Sequence, residues 1–342
     1  MVSRSCCLAA ALIFLMALGA CAPAPPKPQD TAPLVWPDAR DEPARIAYVK
    51  TFSRPEDLGI EKGFFQRLGE FLFGEKDARL VRPMAVVAVK GVVYVADPGA
   101  RGVHRFDPAD GGYDLIGAAD DVPLPSPVGL AVGSEGEVYV TDSVQPAVMV
   151  IRPGAKAAVP LAVARMGQPT GVAFDMGTGR LFVVDTTAHR INVFNRDGTF
   201  HSSVGQRGDG DGEFNYPTQL WRDAGGRLYV TDSLNFRIQV FDAQGRFLRK
   251  FGQMGDGGGD FMRQKGVATD SYGHVYVIDA LMSGLLIFDE SGGLLLALGN
   301  LGQDRGEFWL PAGIFIGADD QVYVADSYNR RIQVFRYIGG PK

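Results

Sequence analysis

An apolar strand closed by an aspartate recurs six times in this chain, and no other feature restricts its fold as much. The copies are Val93-Tyr94-Val95-Ala96-Asp97, Val138-Tyr139-Val140-Thr141-Asp142, Leu181-Phe182-Val183-Val184-Asp185, Leu228-Tyr229-Val230-Thr231-Asp232, Val275-Tyr276-Val277-Ile278-Asp279 and Val322-Tyr323-Val324-Ala325-Asp326. Their aspartates are spaced 45, 43, 47, 47 and 47 residues apart. A period of this length, filled with short strands and glycine-rich turns, is the mark of a propeller blade. One unit reads in order as an innermost strand over 169–175, a second over 181–185, a half-buried third over 190–194, a turn at Asn195-Arg196-Asp197-Gly198 and an outer strand over 199–204. A four-stranded sheet of this size cannot bury both faces alone. Stacking it between two like sheets around an axis does so and leaves only short edges.

Two units carry a longer motif. These are Asp232-Ser233-Leu234-Asn235-Phe236-Arg237-Ile238-Gln239-Val240-Phe241 and Asp326-Ser327-Tyr328-Asn329-Arg330-Arg331-Ile332-Gln333-Val334-Phe335. They resemble the signature of NHL repeats. The unit led by Asp185 is similar, with His189 near the usual Asn position, whereas those led by Asp97, Asp142 and Asp279 keep the strands and lose the Asn and Arg. The resemblance covers roughly residues 82–337 and implies an all-β, six-bladed β-propeller of NHL-type repeats. The last unit lacks an outer strand, and the segment 45–52 reads like one when set beside 246–251. An N-terminal strand is therefore expected to close the ring by completing the last blade. The whole pattern resembles the bacterial NHL-repeat lipoproteins, in which a Trp-Pro segment, here Trp36-Pro37, precedes the closing strand. One short amphipathic helix is predicted over 61–73, where Phe64, Leu68, Phe71 and Leu72 recur at helical spacing.

The N-terminus reads as a targeting signal. Arg4 precedes an apolar run from Leu8 to Leu18, shorter than the ~20 residues that span a bilayer. The run ends in Leu18-Gly19-Ala20-Cys21, similar to a bacterial lipobox, so 1–20 is expected to be a lipoprotein signal peptide and Cys21 the lipidated residue. Residues 21–44 are proline-rich and read as a tether, with the propeller over 45–342. Cys6, Cys7 and Cys21 are the only cysteines, so no disulfide or cysteine nucleophile belongs to the propeller. The formal charge is −5 and no basic cluster tracks a phosphate backbone, which argues against nucleic acid; the membrane is met through the lipid alone.

The repeated aspartates Asp97, Asp142, Asp185, Asp232, Asp279 and Asp326 are expected to be structural. Each accepts backbone N–H groups and, in the Asp185, Asp232 and Asp326 units, pairs with Arg190, Arg237 or Arg331 five residues on. The acids of Asp209-Gly210-Asp211-Gly212-Glu213 alternate as in some Ca²⁺ loops, but align with later glycine-rich segments and read better as an inter-blade connection. His104, His189, His201 and His274 fall in different units, so no metal site and no cofactor is expected. Candidate binding residues on the face of second-to-third-strand loops are Arg101, His189, Arg190, Asn235, Phe236, Arg237, Tyr328, Asn329, Arg330 and Arg331. The channel mouth there should be ringed by Met84, Val128, Thr170, Thr218, Lys265 and Ala312, with Lys265 its only charge.

The expected function is that of a lipid-anchored cell-envelope scaffold or binding module. It would be monomeric, set in the outer membrane facing the periplasm, and would recognise an envelope protein or glycan through the loop face. The alternative is a propeller enzyme of the lyase or lactonase type acting at the channel mouth.

Overall fold

The computed structural model describes residues 33–37, 43, 45–61, 78–117, 122–161 and 166–339. The signal segment, Cys21, most of the tether and, apart from Glu61, the helix expected over 61–73 lie outside these residues. A compact unit runs from Leu34 to Lys342. It begins with β1 (Val35–Trp36) and β2 (Ile46–Phe52), which belong to the last sheet. Blade 1 is β3 (Ala85–Val89), β4 (Val92–Asp97), β5 (Gly102–Asp107) and β6 (Gly112–Ile116). Blade 2 is β7 (Pro127–Val132), β8 (Val138–Asp142), β9 (Ala147–Ile151) and β10 (Val159–Pro160). Blade 3 is β11 (Pro169–Asp175), β12 (Arg180–Asp185), β13 (Arg190–Asn195) and β14 (Phe200–Val204). Blade 4 is β15 (Pro217–Arg222), β16 (Leu228–Asp232), β17 (Arg237–Phe241) and β18 (Phe247–Phe251). Blade 5 is β19 (Gln264–Thr269), β20 (Val275–Asp279), β21 (Gly284–Phe288) and β22 (Leu294–Leu298). Blade 6 has β23 (Ile314–Ile316), β24 (Gln321–Asp326) and β25 (Arg331–Tyr337), followed outward by β2 and β1.

The second strand of each blade is mainly apolar because both its faces are buried, and the buried Thr141 and Thr231 donate to the Thr170 and Lys265 carbonyls of the next blade. In β12, Leu181 and Val183 pack toward blade 2 with Tyr139 and Val148, while Phe182 and Val184 pack toward blade 4 with Leu220 and Val230. The inner strands touch in a closed cycle, β3 to β7 to β11 to β15 to β19 to β23 and back to β3. Glycine allows that crowding where strands converge on the axis. A Cβ on Gly129 would lie 2.2 Å from the Thr170 carbonyl oxygen, and one on Gly313 2.4 Å from that of Met84.

The N-terminal strand closes the ring as expected. β2 runs antiparallel to β25, from Ile46 opposite Tyr337 to Phe52 opposite Ile332. The register slips between Tyr48 and Lys50, leaving Val49 unpaired and 43% exposed. The outer strands of blades 3, 4 and 5 slip in the same place, at His201, Leu248 and Leu295. β2 is thus an outer strand in detail, bulge included. Val35 and Trp36, within the stretch expected to be tether, pair with Ala47 and Ile46 in the last sheet. Trp36 packs edge-on against Phe335 at 5.8 Å and lies where a Cβ on Gly306 would fall, 2.4 Å from the Trp36 ring. The Trp36 ring thus buries apolar surface against the last blade.

Candidate functional site

Each repeat aspartate ties the turn after the second strand to the connection arriving from the previous blade. Asp97, Asp232, Asp279 and Asp326 are fully buried, and Asp142 and Asp185 nearly so. Asp97 accepts the N–H groups of Val81, Arg82 and Ala100. Asp279 accepts those of Met262, Arg263, Leu281 and Met282. Asp142 accepts from Ser126, Val144 and Gln145, and Asp185 from Gly167 and Gln168. In blades 4 and 6 side chains take over part of the work. Asp232 accepts from Asn235, Arg237 and Gln239, and Asp326 from Asn329, Arg331 and Gln333.

This arrangement reassigns several residues expected to bind a partner. The other guanidinium nitrogens of Arg237 donate to the carbonyls of Asp209, Gly210 and Glu213, and Asn235 donates to Gly208. Arg331 and Asn329 grip the carbonyls of Asp304, Glu307 and Gly302 in the same way. Their donors serve the protein's own connecting loops, which need them because a glycine-rich loop has many orphan carbonyls. Two acids of the first of these loops also have partners within the protein. The Glu213 carboxylate accepts from Gly210 N–H, and Asp211 pairs with Lys250 at 2.7 Å.

Arg101, His189, Phe236 and Arg330 share one backbone role. Each stands four residues after its aspartate with φ between 52° and 57°, the left-handed turn that starts the third strand. His189 is buried, accepts the Tyr216 N–H on Nδ1 at 3.2 Å and meets the Tyr216 ring edge-on. Arg190 does not form the expected pair with Asp185. Its Nε is buried without a hydrogen bond among the described residues, and residues 162–165, part of the connection that precedes this blade, lie outside them. Tyr328 remains on the surface, half exposed and 5.7 Å from the Trp309 ring.

The channel mouth on this face opens into a cavity of about 480 Å³. Met84, Val128, Lys265 and Ala312 line it as expected. Thr170 and Thr218 are not among its walls, and their hydroxyls bond Thr186 and Ser233. Lys265 is not the only charge there, since Arg82 and Arg263 also line the cavity. Arg82 stands three residues before β3 and Arg263 one residue before β19, just outside the strands on which the expected ring was drawn.

The opposite end of the channel holds a larger cavity of about 620 Å³, walled by inner strands of all six blades. Phe174, Trp221 and Phe315 give it an aromatic character. Arg222 pairs with Asp175 at 2.8 Å and lies 4.6 Å from the centre of the Phe182 ring. Burial would raise the Asp175 carboxyl, but the Thr178 hydroxyl and the Arg222 guanidinium outweigh it and hold it below its ordinary value. Sequence reading missed this cavity. Its one signal is large aromatic residues late in inner strands where other blades have Ala or Val.

The histidines stay apart. His104 meets Tyr113, His201 meets Ser202 and His274 meets Asp270, each through Nδ1 at 2.7 to 2.9 Å. Among the described residues no three His, Cys, Asp or Glu side chains gather at metal-ligand spacing.

Six four- or five-stranded sheets, repeated radially about one channel, define a six-bladed β-propeller. A family model described as 6-bladed beta-propeller matches residues 172–225 and 220–282, and the NHL repeat model matches residues 308–335. The chain is a six-bladed β-propeller built from NHL repeats. No curated protein matches the sequence. Among solved structures it is similar to virginiamycin B lyase from Staphylococcus aureus, with 13% identity and a TM-score of 0.56 over 75% of this chain and 96% of that one. It is similar to an auxiliary nutrient binding protein from Bacteroides thetaiotaomicron VPI-5482, with 12% identity and a TM-score of 0.60 over 76% and 70%. A protein of unknown function from the same organism gives 16% and 0.60 over 77% and 71%. At these identities the likeness is one of fold.

Proposed function

We propose that this propeller is a non-enzymatic binding module of the bacterial cell envelope, held by a lipid on Cys21 and receiving a protein partner on its loop face. The observation that carries this reading is where the exposed apolar side chains lie. Leu234, Met254, Met262, Leu281, Leu301 and Tyr328, each at least 40% exposed, stand on the second-to-third-strand loops or the inter-blade connections of blades 4 to 6. Solvent-facing Leu and Met concentrated on one face suit an adaptable protein contact. A glycan would call for free carboxylates and amides, and in blades 4 and 6 the repeat's Asp, Asn and Gln groups are already bonded to the loops. A closed ring offers no long edge for pairing, which favours a monomer. The lipobox-like Leu18-Gly19-Ala20-Cys21 and Ala22 after it support anchoring in the outer membrane, facing the periplasm.

The test places a photoreactive residue at 281 or 301 on the loop face and at 176 on the opposite face, in living cells. A discrete protein adduct is expected from the first two and not from the third, and Leu281→Asp should abolish the adduct formed at 301. Equal labelling from both faces, or an adduct indifferent to Leu281→Asp, would count against the reading.

A further inference from the structure

The cavity at the loop-face mouth joins three cations to an apolar floor. Arg82 arrives with blade 1, and Arg263 and Lys265 with blade 5, so the ring brings together groups more than 180 positions apart in sequence. None of the three side chains forms a hydrogen bond or ion pair with the described residues. No Asp or Glu lines the cavity. The nearest repeat carboxylates are turned into the loops, where Asp97 holds the backbone N–H of Arg82 and Asp279 that of Arg263. The same bonds fix the backbone from which both guanidinium groups project. Burial pushes the Lys265 ammonium below its ordinary value, the like charge of Arg263 pushes it further, and no carboxylate offsets either effect. Met84, Val128, Pro311 and Ala312 supply the apolar wall beneath.

A lysine that gains nothing from its surroundings is costly to keep at a half-buried site. It also breaks the repeat, because the equivalent positions in the other blades are Met84, Val128, Thr170, Thr218 and Ala312. A group that departs from the repeat and destabilises the empty protein needs a partner from outside, and its chemistry is set by the three charges. We propose that the loop-face mouth binds a small organic anion, its carboxylate or phosphate head between Lys265, Arg263 and Arg82 and its apolar body over Met84, Val128 and Ala312. A volume of about 480 Å³ lies in the range of small-molecule sites. The inference goes beyond the protein-partner reading: Leu281 and Tyr328 border both surfaces, but the three cations and the floor of Met84, Val128 and Ala312 play no part in that reading.

Isothermal titration calorimetry of the full-length protein tests it with four probes: 4-phenylbutyrate, 4-phenylbutyl phosphate, the neutral 4-phenylbutanamide and inorganic phosphate. At least one of the two amphiphilic anions should bind, and more weakly as salt is raised. The tighter of the two identifies the head group. The amide should bind at least about tenfold more weakly, since hydrogen bonds to charged groups are the stronger ones. Lys265→Met and Arg263→Gln should each weaken the anion by about tenfold or more. Lys265→Met should also melt above the parent, because it removes an uncompensated cation, and this readout needs no ligand. The proposal fails if neither amphiphilic anion binds, if the amide matches the acids, if inorganic phosphate alone binds as tightly as either, or if Lys265→Met leaves the affinity unchanged.

Discussion

Phe52 lies opposite Ile332 at the end of the strand pair that joins the two ends of the propeller, and both side chains are fully buried. Each such side chain contributes roughly 1.5–3 kcal/mol by burial, and the pairing also covers an edge that would otherwise template aggregation. A chain beginning at Arg54 is therefore expected to be unstable or to aggregate. A chain beginning at Arg40 keeps β2 and should remain monomeric, yet melt somewhat lower because it lacks Trp36 over Phe335 and Gly306. Size-exclusion chromatography and thermal melts check both. An unchanged melt for the Arg54 chain would show that closure is not made by β2.

Arg237 should matter more to stability than Arg331, although the two make equivalent bonds. The Arg237 side chain is 8% exposed and the Arg331 side chain 13%, and two of the Arg331 bonds reach exposed loop residues. Arg237→Met leaves Asp232 without its cation and uncaps the Asp209, Gly210 and Glu213 carbonyls, a loss of about 3–5 kcal/mol for a buried pair. Arg331→Met also strands a buried carboxylate, Asp326, and should cost somewhat less, about 2–4 kcal/mol. Urea denaturation of the two variants checks the order, and equal losses would mean that burial is not what separates them.

The repeat was legible because blade packing imposes it. A second strand buried on both faces must be mainly apolar, and its closing aspartate ties down the connection that leads into the blade. The same repetition misled the reading of the site. Asn235 and Arg237 recur as Asn329 and Arg331 because they hold loops, so recurrence marks framework. What departs from the repeat was more informative: Lys265 among Met, Val, Thr and Ala, and Trp221 and Phe315 among small residues. That Arg82 joins Lys265 could not be read from the chain, because only ring closure sets blade 1 beside blade 6 and across from blade 5.

The proposed membrane attachment rests on Cys21, which ends the Leu18-Gly19-Ala20-Cys21 segment. One acyl chain holds a protein only reversibly, and two or more hold it stably. Cys21→Ser should therefore move the protein from the membrane to the soluble fraction or leave an uncleaved precursor. Fractionation and intact-mass measurement check this. A wild-type protein with no acyl mass on Cys21 would remove the anchor.

Blade 1 carries a variant of the framework that makes stability depend on acid. His104 stands seven residues after Asp97, where Gln239 and Gln333 stand after their aspartates, and its Nε2 lies 3.5 Å from the Asp97 carboxylate. Burial would raise the Asp97 carboxyl; the nearby His104 imidazole and hydrogen bonds from the amides of Val81 and Ala100 outweigh it and hold the group below its ordinary value. In the unfolded chain the group titrates near that ordinary value, so around pH 4 and below the native state binds fewer protons than the unfolded one. The stabilisation is complete above about pH 5 and is lost as pH falls through the lower native value. Asp97→Asn should cost about 1–3 kcal/mol at neutral pH, because amides that now meet a carboxylate would meet a weaker acceptor or a donor. It should also flatten the decline in stability as pH falls below about 4. His104→Gln, which restores the residue found in blades 4 and 6, should be tolerated far better. Urea denaturation of the three proteins at several pH values separates these outcomes. An Asp97→Asn protein that loses stability with acid as steeply as the parent would place the acid sensitivity elsewhere in the ring.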